Sequence, residues 1–70
     1  MRADNVCDAI KTLMRAEGVN GSELARRMGM RRQNVSERLT HPERAMLTSD
    51  LARYADALGY EVEITFRKKV

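Results

Sequence analysis

Between residues 31 and 37 of this 70-residue chain, Arg31, Arg32, Gln33, Ser36 and Glu37 all carry side chains built for directional hydrogen bonding. An arginine fork fits a phosphate or the paired acceptors on a guanine edge, an amide fits the donor and acceptor of adenine, and a hydroxyl fits either. This is the chemistry of recognition. Catalytic chemistry finds much less to work with. His41, the only histidine, stands beside Pro42 with no carboxylate arrangement to make it a base, and Cys7, the only cysteine, has no basic neighbour in sequence to make it a thiolate. Cys7 reads as a half-buried packing residue, and a single cysteine excludes an internal disulfide or a cysteine-based zinc cage. No catalytic site, cofactor or metal is expected. The glycines 18, 21, 29 and 59 look like helix punctuation, and the five methionines read as core and connectors.

Charge separates the same region from the rest. The formal net charge is +3, but residues 26–38 alone hold five arginines against one acid, Glu37, so the remainder sums to −1. A basic block on a nearly neutral body suits a surface that meets an anion, most commonly nucleic acid. Ten of the thirteen basic residues are arginine, the side chain with the forked geometry. No apolar run approaches the ~20 residues of a membrane span, and no signal-peptide pattern opens the chain, so a cytoplasmic, reducing compartment is expected.

The elements that must position these residues are mostly helical. Val6, Ile10, Leu13 and Met14 predict a helix over about 5–17, capped by Asp4 or Asn5 and ended by Gly18. A second helix over about 21–28 starts with Asn20 and Glu23 in capping-box spacing and turns Leu24, Ala25 and Met28 inward. A third follows over about 31–39, separated by little more than Gly29, a residue free to take φ > 0. A proline-containing loop leads to a fourth helix over about 49–58, capped by Thr48 or Ser49, with Leu51, Tyr54, Ala55 and Leu58 as its stripe and Gly59 as its exit. The fold class is mainly α, a single domain over residues 1–70, with one strand, about 61–68, after the helices.

The stretch "ELARRMGM" followed by "RRQNVSERL" resembles the helix-turn-helix of the phage Cro/repressor superfamily, also called XRE-like domains. It matches that family's Leu-Ala-x-x-x-Gly-apolar-x-x-x-x-apolar-Ser pattern, and "LARYADALGY" is similar to the helix that follows it. The likeness covers about residues 5–60. It implies a sequence-specific reader of double-stranded DNA, with Arg32 and Gln33 at the first base-contacting positions, Ser36 one turn further along, and Arg31 at the start of the recognition helix. Phosphate contacts would fall to Arg27, Arg38, His41 and Arg44. Glu37 would accept from a cytosine amino group or temper non-specific attraction, and Asn34 would face its own protein. The chain departs from the family at Gly21, where a phosphate-bonding glutamine is common, at Arg31, where Ser or Thr usually caps, and at Arg38, where an apolar residue is usual and Leu39 takes over the inward contact.

The last segment, "YEVEITFRKK", alternates Val62, Ile64 and Phe66 with Glu61, Glu63, Thr65 and Arg67, the period of a half-buried strand. Nothing else in the chain reads as a strand, so its partner is expected to be a second copy. Acids lead and bases follow, so a parallel pair would stack like charges and an antiparallel pair opposes them. A two-fold axis at Ile64 sets Glu61 against Arg67 and Val62 against Phe66; an axis at Thr65 sets Ile64 against Phe66 but Val62 against Lys68. Ile64 is the favoured register and Thr65 the second. Some Cro-like regulators and antitoxins of the superfamily dimerise through such a strand. The resemblance therefore implies a homodimeric repressor of a phage or mobile element on a palindromic operator, or, as the alternative, an antitoxin that binds a toxin protein as well as operator DNA.

Overall fold

The structure is a computed structural model that describes Ala3 and residues 5–70. Four helices follow one another: α1 (Val6–Glu17), α2 (Gly21–Met28), α3 (Arg32–Leu39) and α4 (Thr48–Ala57). Each of α1 and α2 packs against both α3 and α4. The core at their junction holds Leu24 and Val35 at 0% exposure, with Ile10, Leu58, Ala25, Tyr54, Leu39, Cys7 and Val19 around them. Burying an aliphatic side chain of this kind contributes about 1.5–3 kcal/mol, so these few residues carry most of the cohesion of a small domain.

Local chemistry sets the helix ends. Asn5 caps α1 by accepting the Asp8 amide at 2.8 Å; the other candidate cap, Asp4, lies outside the described residues. Asn20 caps α2 by accepting the Glu23 amide at 2.9 Å. The reciprocal half of the expected capping box is absent among the described residues, because the Glu23 carboxylate turns to Arg26 and Arg27. Three helices leave by the same turn. After α1, α2 and α4 a glycine at positive φ is followed by an apolar residue whose amide returns to the helix: Val19 to the Met14 carbonyl, Met30 to Ala25 and Tyr60 to Ala55, each at 2.9 Å. This is the Schellman exit, in which glycine avoids the Cβ strain of the left-handed region.

Some expectations shift. The N-cap of α4 is Leu47, with no side-chain hydrogen bond, and Thr48 is already helical rather than a cap. Helix α3 begins at Arg32, one residue later than expected, with Arg31 as its N-cap. Cys7 is fully buried rather than half-buried, and its thiol reaches the Arg38 carbonyl at 3.5 Å across the α1–α3 contact. Beyond Tyr60 the chain forms no helix and no strand ladder among the described residues, and residues 61–70 are exposed. A helical body has no second strand to offer within one chain.

Candidate nucleic-acid interface

Helix α3 is a surface helix by composition. Only Val35 and Leu39, one turn apart, are buried; they pin the helix to the body and leave its other faces to solvent. Arg31, Arg32, Gln33, Ser36 and Glu37 line one shallow concavity on that outer surface. The sequence singled out the same five residues. Among the described residues, the side chains of Arg31, Arg32, Gln33 and Ser36 have no hydrogen-bond or ion-pair partner, unlike Arg26, Arg27, Arg38 and Arg44, which are paired.

The start of α3 is prepared for an acceptor. Arg31 provides no side-chain cap, and its carbonyl receives the amides of Asn34 and Val35, so the Arg32 and Gln33 amides are not taken up by backbone or cap among the described residues. Such free amides, with the positive end of the helix dipole and two arginines beside them, favour a phosphate or carboxylate oxygen.

The remaining basic residues divide into two groups. Arg27 donates from Nη1 to the Ala57 carbonyl at 3.0 Å and from Nε to Glu23 at 3.1 Å, placing a cation at the C-terminus of α4, whose own last turn has no basic residue. Arg38 is half-buried and donates from Nη2 to the Ala45 carbonyl at 2.6 Å, tying the end of α3 to the following loop. Both expected phosphate ligands are thus largely engaged in holding the fold. His41 and Arg44 stay at the loop surface, His41 against Glu43 at 2.9 Å and Arg44 against Glu37 at 3.5 Å. The Glu43 carboxyl titrates below its ordinary value because a backbone hydrogen bond, and next the His41 ring, favour its ionised form. Contacts this exposed are weak, so both side chains can exchange their carboxylates for a stronger acceptor.

One residue is placed differently from expectation, and two enter the site that the sequence did not offer. Asn34 is exposed rather than facing its own protein. Lys11 of α1 and Ser22 of α2 line an adjoining cleft with Arg32, Ser36 and Thr40, extending the polar surface past α3. Nothing in their spacing marks them, because α1, α2 and α3 meet there only through tertiary packing.

A second surface lies at the end of the chain. Exposure rises from Tyr60 at 37% and Val62 at 38% through Ile64 at 59% to Phe66 at 93%. The root is held: the Tyr60 hydroxyl donates to the Glu17 carboxylate at 3.2 Å, which keeps the phenol protonated to higher pH. The alternating apolar side chains then leave the body. No helix among the described residues is long and apolar enough to cross a membrane. Comparisons with protein-family models, with curated proteins and with solved structures return no match for this chain.

Proposed function

We propose that the chain is a sequence-specific double-stranded-DNA-binding regulator, a repressor that occupies an inverted-repeat operator as a homodimer. The observation that carries the reading is the outer surface of α3. Four polar side chains of base-reading type lie on one helix surface, free of partners among the described residues, next to uncapped amides at the helix start. In this reading Arg32, Gln33 and Ser36 contact base edges, Arg31 and the first amides of α3 take a phosphate, and Arg44 and His41 hold the backbone alongside. Arg27 and Arg38 keep the helices in place. The tail strand, paired antiparallel with its copy, would put two recognition helices about one DNA turn (~34 Å) apart.

The test is competition gel shift on a selected site. Arg32→Ala and Gln33→Ala are expected to cost ~1–3 kcal/mol of discrimination between the site and its base-pair variants, while Arg44→Ala weakens all sequences alike. Equal binding to every sequence, before and after these changes, contradicts base reading.

The exposed apolar tail also favours a second reading, an antitoxin in which a toxin strand pairs where the copy would. A toxin gene beside this one, and a stable complex of the two products through residues 61–68, would decide for it.

A further inference from the structure

We infer that the cleft between α1 and α4 is the seat of Phe66 from a second copy of this chain, an assignment that rests on the dimer proposed above. Ile10 and Leu13 from α1, Leu51 and Ala55 from α4, and Tyr60 and Val62 from the root of the tail line the cleft, together with the acids Glu61 and Glu63. It encloses about 460 Å³; a benzene ring is accommodated in about 150 Å³. The chain's own Phe66, its only phenylalanine, stays 93% exposed and does not fill it.

The occupant follows from pairing geometry. Residues facing each other across an antiparallel pair share a face, with Cβ atoms about 4.5–5.5 Å apart. Val62 lines the cleft, so whichever partner residue stands opposite Val62 is delivered to it. With the two-fold axis at Ile64 that residue is the partner's Phe66. With the axis at Thr65 it is the partner's Lys68, whose ammonium would have to cross the apolar floor of Ile10, Leu13 and Leu51 to meet the Glu61 and Glu63 carboxylates that also line the cleft. The lining is mostly apolar, so it favours the ring over the ammonium and the Ile64 register over the Thr65 one.

Charge agrees with the same register. An axis at Ile64 sets the partner's Arg67 against Glu61 and the partner's Lys68 against Tyr60, whose hydroxyl holds the Glu17 carboxylate. The partner's basic end thus runs toward an acid at the C-terminus of α1. By symmetry each copy gives one ring and receives one, and the apolar side of the two-stranded ribbon is covered at both ends.

The test uses the full chain at a concentration where light scattering reports a dimer, with one copy isotope-labelled and the other not. Filtered nuclear Overhauser spectra are expected to connect the ring of Phe66 in one copy to the Leu13, Leu51 and Val62 methyls of the other, and Phe66→Ala is expected to raise the dimer dissociation constant at least about thirtyfold. A dimer in which Phe66 instead contacts Ile64 of the other copy, with Lys68 beside Val62, overturns the assignment and leaves the dimer standing. So does a dimer whose Phe66 ring shows no contact to Leu13 or Leu51. A chain that stays monomeric at every concentration, or whose tail seats in its own cleft, overturns the assignment together with the dimer.

Discussion

Gly29 and Gly59 make the same turn: each takes a positive φ after a helix, and the residue that follows, Met30 or Tyr60, returns its amide to the preceding turn. What comes next differs completely. After Gly29 the chain enters α3, which buries Val35 and Leu39 and leaves arginine, glutamine and serine outside. After Gly59 it enters a segment whose alternating valine, isoleucine and phenylalanine become steadily more exposed. One exit leaves polar groups without partners and the other leaves apolar groups without cover. The first surface suits a ligand rich in acceptors and the second another apolar face, so one short chain carries two open surfaces of opposite chemistry.

The contrast breaks most visibly on substitution in the two regions. Leu24→Ala removes a side chain at 0% exposure beneath α2 and α3 and is expected to cost ~2–5 kcal/mol of stability in urea unfolding, taking the polar surface of α3 with it. Ile64→Asp lies outside that core, so the helical circular dichroism is expected to persist while light scattering reports a monomer. Loss of helix content in Ile64→Asp would mean that the body depends on the dimer. Much smaller is the effect of acid. The Glu23 carboxyl is held below its ordinary value of 4.5 by hydrogen bonds from Arg26 and then Arg27. A lowered folded value gives stability that is present above pH 4.5 and lost as pH falls through the lowered value. Both arginine partners are open to solvent and Glu23 itself is partly exposed, so a slight flattening of the acid limb of the melting-temperature profile in Glu23→Gln is the expected outcome.

Where the chain is governed by contacts close in sequence, the residues announce the structure. Gly18, Gly29 and Gly59 each precede an apolar residue, and all three helices end there; Asn5 and Asn20 cap as their spacing implies. The helical body and the polar face of α3 were legible for that reason. Where distant segments meet, the residues are silent. Arg27 and Arg38 look like any surface arginine until α4 and the loop after α3 bring the Ala57 and Ala45 carbonyls within reach. Lys11 and Ser22 join the polar surface only because α1 and α2 flank α3. Leu47 caps α4 without a side-chain hydrogen bond, and no propensity rule selects it over Thr48. The tail is legible as an alternating pattern, but it forms no strand ladder among the described residues, and the proposed pairing needs a second copy.

The proposal that α3 reads DNA in a two-fold pair is tested most directly by selection of bound sequences from random duplexes, which probes binding, symmetry and spacing together. The expected outcome is enrichment of an inverted repeat whose half-sites lie about one helical turn, ~34 Å, apart. Failure to enrich any sequence, or enrichment of a solitary half-site by a chain that dimerises, would contradict it.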